Sequence, residues 1–372
     1  MVTGIRNLPA TVLPGQFAST AYVDRNFSIA NAAVAPDGAF AIIPTLFATN
    51  RTFQSTTSDP YGMFADTRGD QLTLGSAYVR IPRSGDTFDI EPDNLTRVAL
   101  AEQPLVPSAL LENQVLDREE FSNRARTATS RAGGDVLLYV HGYNVDFVDA
   151  AIHTAQFSYD IGFSGLTYFY SWPARGEVAT YVADVESLHA SRRYLQEMLN
   201  LLLYTTPAAN IYLVAHDTGA HLLARSLRDV IATQPVVRSR IREIILVVPD
   251  IGVTEFKREL APALGSEGSP ITVYASDSAV LDLPRSVSTD ALVGDTRNGI
   301  VIANGIETVD ASGLKTTFDS HSSYSDRGTV VSDIWNLVQF GSRASFRRDL
   351  TTVYAPQGTY WRFRPPAEQS AR

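Results

Sequence analysis

The sequence predicts an α/β protein, with a mainly parallel sheet covered by helices on both faces and a β-rich N-terminal extension. Two observations lead there. From Gly134 onward, short and wholly apolar runs alternate with longer stretches of helical period. Apolar strands separated by helices belong to parallel sheets packed between two helical layers. Before that point, β-type runs are separated by turn residues. The chain therefore divides into a β-rich extension over residues 1–130, an α/β unit over 131–341 and a tail over 342–372. With 372 residues, 44% apolar and 19% charged, it has the size and apolar content for one large core.

The elements follow in order. The first 35 or so residues read as loop and are assigned no structure. Phe40–Phe47 and Leu72–Ile81 are strands, with a turn at Ser58-Asp-Pro-Tyr-Gly62 between them. Val136–Val140 is a continuous apolar strand that ends in His141-Gly142. A helix is expected from about Asp146 to Tyr159, then a strand over Leu166–Ser171. A long helix over Val182–Leu203 places Val185, Leu188, Leu195, Met198, Leu199 and Leu202 at helical spacing. Next come a strand at Ile211–Ala215, a helix at Ala220–Ile231, and strands at Ile244–Val248 and Ile271–Ala275. A last helix covers Thr329–Phe340, and Thr359–Phe363 reads as an edge strand.

Composition excludes several classes of function. A net charge of −9 offers no basic face for nucleic acid. No apolar run reaches the length of a membrane span, and the opening residues lack the apolar core of a signal peptide, so the compartment stays open. The absence of cysteine removes thiol nucleophiles, disulfides and thiolate metal sites. No histidine pair has metal-ligand spacing with a carboxylate on one helix, and Gly62–Gly75 has no phosphate-loop pattern. No cofactor is expected; the partner is a small-molecule substrate.

The segment Ile211-Tyr-Leu-Val-Ala-His-Asp-Thr-Gly219 is a buried strand running into a small-residue turn that opens a helix. In that setting the G-x-S-x-G motif presents a serine nucleophile. Here the first glycine is Ala215 and the central residue is Asp217. A serine must lose a proton before it attacks, whereas an aspartate side chain ionises near pH ~4 and is an anion without help. Asp217 could instead cap the following helix, a role aspartate fills well. In a parallel sheet the ligand lies beyond the carboxyl ends of the strands. That rule selects His141 to Asn144, Ser171-Trp172, His216 to Thr218, Pro249-Asp250 and Ser276-Asp277.

Of six histidines, only His321 lies far enough downstream to follow the chain order nucleophile, acid, base. Asp277, directly after Ile271–Ala275, is preferred as the acid that orients it, with Asp250 as the alternative. The backbone N–H groups of Tyr143 and Thr218 are placed to form an oxyanion hole. His141, Asn144, Trp172, Tyr181 and His216 are the candidate substrate contacts. Tyr143 or Tyr181 would protonate a leaving oxygen, and Trp172 or Asn144 would solvate a leaving halide.

Phe47-Ala-Thr-Asn-Arg51, Tyr139-Val-His-Gly-Tyr-Asn144, Tyr170-Ser-Trp-Pro-Ala-Arg-Gly176, Val214-Ala-His-Asp-Thr-Gly219, Val248-Pro-Asp250 and His321 together resemble a bacterial esterase/lipase-like α/β-hydrolase family of largely unknown function. The resemblance runs from about residue 40 to 341. It implies the hydrolase fold, an active-site histidine at 321 and a serine at the position this chain gives to Asp217. The string His216-Asp-Thr-Gly-Ala220 is similar to that of epoxide hydrolases and fluoroacetate dehalogenases, which use aspartate as nucleophile on the same fold.

Three readings follow. Asp217 attacks a saturated carbon, of an epoxide or a carbon–halogen bond, and His321 activates the water that cleaves the resulting ester. Alternatively, Asp217 acts as general base in an ester or lactone hydrolase. In the third, the chain is a pseudoenzyme or binding module without the family serine.

Overall fold

The computed structural model describes residues 33–34, 40–54, 60–82, 108–174, 181–265, 271–314 and 328–364. Its strands are β1 (Ala33–Val34), β2 (Phe40–Phe53), β3 (Phe64–Pro82), β4 (Ala109–Leu116), β5 (Asp135–Val140) and β6 (Leu166–Ser171). They continue with β7 (Asn210–His216), β8 (Ile241–Val247), β9 (Ile271–Ala275), β10 (Ile306–Asp310), β11 (Leu350–Ala355) and β12 (Gly358–Phe363). The helices are α1 (Arg118–Arg131), α2 (Phe147–Asp160), α3 (Tyr181–Thr205), α4 (Thr218–Thr233), α5 (Val253–Glu255), α6 (Ala261–Leu264), α7 (Asp282–Val287) and α8 (Gly328–Phe340).

All the described strands belong to one sheet, in the order β11-β12-β10-β9-β8-β7-β5-β6-β2-β3-β4, with β1 on β2. From β2 to β12 along that order, neighbouring strands run parallel. The β2–β3, β3–β4 and β11–β12 pairs are antiparallel. The predicted α/β class with a strand-rich N-terminal extension is the fold observed. The extension is joined edge to edge with the parallel strands through β2 and β6.

Alternation along β5 shows how both faces are filled. Val136, Leu138 and Val140 enter one core, with Leu195, Met198, Leu199 and Leu202 of α3 and Leu223 and Leu227 of α4. Leu137 and Tyr139 enter the other, with Ile334 and Leu337 of α8. Each such leucine or isoleucine contributes about 1.5–3 kcal/mol by leaving water. Asp117 and Asp146 start α1 and α2 by accepting the amides of Glu120 and Asp149, worth about 1 kcal/mol each.

The sequence reading did not assign β4, α1, β10, β11 or the short helices α5 to α7, and β10 escaped it for a physical reason. β10 reads Ile-Glu-Thr-Val-Asp, too polar for a central strand, yet it lies between β9 and β12. Its Glu307 and Asp310 are neutralised by Arg347 and Arg362. Charge pairing with the tail replaces apolarity. For the same reason β12 is not the edge strand expected at Thr359–Phe363. It pairs with β10 on one side, and β11 forms the edge.

The chain leaves β5 for β6 on one side, then crosses to β7 on the other. Connections that part in opposite directions open a crevice at the strands' carboxyl ends. Those ends are His141–Tyr143 and His216–Asp217.

Candidate active site

Asp217 lies in this crevice with φ 52° and ψ −128°. Positive φ is uncommon for any residue but glycine and marks a strained turn. Its amide donates to the Val247 carbonyl at 2.9 Å, and its carbonyl accepts from Ala220 at 3.0 Å, which opens α4. Gly219 makes the turn feasible, because a Cβ there would stand 2.0 Å from the His141 carbonyl oxygen. The same geometry swings the carboxylate away from the α4 amides, so Asp217 does not cap the helix.

The carboxylate faces the loop after β5. Oδ2 accepts the Tyr143 N–H at 3.0 Å and the Thr218 hydroxyl at 3.1 Å. Oδ1 is buried and has no hydrogen-bond partner among the described residues. Asp217 as a whole is 1% exposed. The sequence reading places the Tyr143 amide in an oxyanion hole that waits for substrate. Instead, one oxygen of the carboxylate already occupies that amide. Gly142 allows this approach, since a Cβ on it would lie 2.9 Å from the Asp217 Cβ and 3.1 Å from Oδ2.

His141 and Trp172 are corrected from substrate contacts to framework. The His141 Nε2 accepts the Trp172 backbone N–H at 3.1 Å, which leaves Nδ1–H to donate to the Gly142 carbonyl at 2.8 Å. Burial and the charge of Arg51 hold its pKa well below the usual histidine value, so the ring is neutral. The Trp172 indole stacks on it, is wholly buried, and spends its N–H on the His141 carbonyl at 2.9 Å. Neither side chain has an open face for a ligand. Asn144 is exposed at φ 54°, a conformation that asparagine tolerates better than most residues. His216 is half-buried at the end of β7. Tyr181 opens α3, but its side chain lies outside the described residues, as does the whole of His321.

The two candidate acids differ in setting. Asp277 is exposed, and its Oδ1 accepts the Gly313 N–H at 3.0 Å, which holds its pKa below the usual carboxylate range. Asp250 is buried, and its N–H reaches the Asp217 carbonyl at 3.4 Å. It follows Val248, whose φ of 48° is a marked outlier for a β-branched residue. The Val248 turn thus lies beside the Asp217 turn and leads into Asp250, while Asp277 lies exposed at the end of β9. Among the described residues no cluster of three or more acidic or histidine side chains could hold a metal. A cavity of about 240 Å³ lined by Asp135, Asn210 and Arg242 opens at the amino ends of β5, β7 and β8, the wrong end for this chemistry.

Arg51 was not singled out by composition or spacing, although it closes the Phe47–Arg51 motif. Its side chain is buried beneath the loop that follows β5.

Several solved structures are similar to this chain. A fungal esterase from Rhizomucor miehei shares 12% identity over 80% of this chain and 83% of its own, with a TM-score of 0.34. An esterase from Pyrobaculum calidifontis shares 11% over 78% and 87%, with a TM-score of 0.34. A poly(3-hydroxybutyrate) depolymerase from Bordetella parapertussis shares 14% over 56% and 79%, with a TM-score of 0.29. No curated protein matches the chain. Residues 117–338 match the family described as alpha/beta hydrolase of unknown function (DUF900), which takes in the sheet from β5 to β10, the Asp217 turn and nearly all of α8, and the chain belongs to that family.

Proposed function

We propose that this hydrolase uses Asp217 as a covalent nucleophile on a saturated carbon, of an epoxide or a carbon–halogen bond. The observation that carries the reading is the divided carboxylate, with Oδ2 held by Tyr143 N–H and the Thr218 hydroxyl and Oδ1 without a partner among the described residues. An oxygen with no hydrogen bond keeps its lone pairs available for attack. Oδ1 forms a bond to the substrate carbon as the carbon–oxygen or carbon–halogen bond breaks. The leaving oxygen of an epoxide takes a proton from the phenol of Tyr143 or Tyr181, or the halide departs as an anion. The product is an ester whose carbonyl oxygen is Oδ2.

Hydrolysis then uses the same contacts. Water, giving its proton to a base, attacks the Asp217 Cγ, and negative charge collects on Oδ2. Tyr143 N–H is already in place for that charge, and losing one such donor typically costs about 10²–10³ in rate. Collapse breaks the Cγ–Oδ1 bond, so the product alcohol carries an oxygen from Asp217 and the aspartate keeps one from water. His321 is the proposed base, oriented by Asp250, the buried acid, in preference to Asp277.

An ester or lactone route with Asp217 as general base is opposed by the Tyr143 contact. With that amide engaged, the hole has lost a donor for the substrate's carbonyl oxygen. The reading as a binding module without turnover draws support from the 1% exposure of Asp217.

The test is turnover in heavy-oxygen water with a panel of epoxides and haloalkanes, starting from styrene oxide and 1-bromobutane. Mass spectrometry of the Asp217 peptide should show a gain of heavy oxygen, and His321→Gln should trap the alkyl adduct there. Product that carries all the label, with an unlabelled peptide, would point to direct water attack. An inert panel, with esterase activity appearing in Asp217→Ser, would establish the module without turnover.

A further inference from the structure

The motif that ends in Arg51 has a role that neither the fold nor the nucleophile explains. β2 and β3 pair regularly up to Thr49↔Thr73, then shift register between Thr49 and Arg51 and again before Phe53. Bulges of this kind re-aim a side chain beside an active site. Gly69 opposite makes room, since a Cβ there would meet the Arg51 carbonyl oxygen at 2.9 Å. The Arg51 side chain is fully buried and donates in three directions. Nε reaches the Ser171 hydroxyl at 2.8 Å, Nη1 the Asp66 carboxylate at 2.6 Å, and Nη2 the Val145 carbonyl at 2.6 Å.

A buried guanidinium is costly to desolvate, and its forked geometry cannot be copied by lysine. What it grips is the far end of the strained turn that aims the Tyr143 amide. Asn144 sits at φ 54°, Val145 follows, and Asp146 then caps α2. At the near end, Gly142 is pressed against Asp217, and its carbonyl accepts from His141. The Ser171 hydroxyl that receives Arg51 Nε also lies 3.4 Å from His141 Nε2. Arg51 therefore holds the Val145 end of the segment directly and reaches the His141 end through the Ser171 hydroxyl.

We propose that Arg51 is a positioning residue for the Tyr143 amide: through the Val145 carbonyl and Ser171 it holds the turn that presents this N–H to Asp217. Its effect on reaction rate rests on the nucleophile reading above; its effect on the amide does not.

The experiment uses the full chain with Arg51→Lys and Asp66→Asn. Asp66 is a conservative second site because its side chain is 52% exposed. Amide exchange is followed at Tyr143 and at the core amides of β5 and β7, and the rate of Asp217 labelling by 1,2-epoxy-3-(4-nitrophenoxy)propane is measured alongside with His321→Gln added, so that the adduct is retained. In Arg51→Lys, protection at Tyr143 should fall at least tenfold while Leu138 and Leu213 stay protected. Labelling should slow by about 10²-fold, as expected for a reacting group displaced by ~1 Å. Asp66→Asn should shift both readouts in the same direction by less. Unchanged Tyr143 protection in both variants would overturn the proposal, and so would a loss spread evenly over the core strands. If the His321→Gln protein with Arg51 intact never labels, the nucleophile reading fails and the exchange pattern alone decides the role of Arg51.

Discussion

Replacing Gly219 by alanine tests how closely α4 is seated on the end of β5. The added Cβ would lie 2.0 Å from the His141 carbonyl oxygen and 2.8 Å from that of Val140. Ordinary contact begins near 3.4 Å, so 3.4 − 2.0 leaves about 1.4 Å to be made up. Both obstructing atoms are backbone, so no side chain can rotate out of the way. Either α4 lifts off the sheet or the loop after β5 retreats. Overpacking of this kind costs about 1–3 kcal/mol. At ~2–4 °C per kcal/mol, the melting temperature should fall by roughly 2–12 °C. Either movement also separates Asp217 Oδ2 from Tyr143 N–H, and a displacement near 1 Å costs about 10²-fold in rate. Calorimetry reads the first effect. The Tyr143 amide proton resonance, which a carboxylate acceptor holds downfield, reads the second without any substrate. A Gly219→Ala protein that melts within a degree of wild type, with that resonance in place, would refute the close seating of the turn.

Three further expectations follow from the same contacts. Burial pushes Glu243 up to about 7 from 4.5, with Arg343 pulling in the opposite direction. Because the fold keeps a proton that the unfolded chain has lost, stability is fullest below pH ~4.5 and declines as pH rises through 7, by at most about 3 kcal/mol. Urea unfolding at pH 5 and pH 8 should show that slope in wild type and a flatter one in Glu243→Gln; equal slopes would disprove it. Arg347→Met would leave Asp333 and Glu307 without their buried cation and should cost about 3–5 kcal/mol in urea unfolding. A cost below 1 kcal/mol would mean that the network does not hold α8 and the tail. Asp217→Ser should abolish peptide labelling from heavy-oxygen water in a working aspartate enzyme. If it instead creates hydrolysis of p-nitrophenyl acetate in a protein that was inert before, Asp217 is no nucleophile.

The parallel strands were legible because burial on both faces leaves an unbroken apolar run, as in Val136–Val140 and Ile271–Ala275. The turn at Asp217 was legible because small residues between strand and helix have few other uses. β10 was not, since its charges are answered by Arg347 and Arg362 from a distant part of the chain. His141 and Trp172 looked like site residues because they end strands. Only coordinates show that each satisfies the other, through Trp172 N–H to Nε2 and the indole N–H to the His141 carbonyl. Position at a strand end selects side chains near a crevice, but it does not say which way they turn. The different settings of Asp250 and Asp277 were hidden for the same reason. Burial and the strain at Val248 distinguish them, and neither has a local sequence signal.

An elbow of this shape serves either nucleophile, and the amide opposite it changes task with the residue. With serine, the donor faces the substrate's carbonyl oxygen, and the side chain must be short enough to leave the hole empty. With aspartate, the carboxylate is one carbon longer and forked, so one branch reaches the hole while the other stays behind for attack. The substrate needs no donor in the first step, because displacement at a saturated carbon develops no carbonyl oxyanion. On the proposed route the donor's turn comes in the second step, when the ester on Asp217 becomes the carbonyl compound. On that route, an Oδ2 that occupies the Tyr143 amide is an obstacle to acyl transfer and a help in hydrolysing an alkyl ester on Asp217. The hydroxyl of Thr218, 3.1 Å from that oxygen, fits the second role, since it adds a donor where charge would gather.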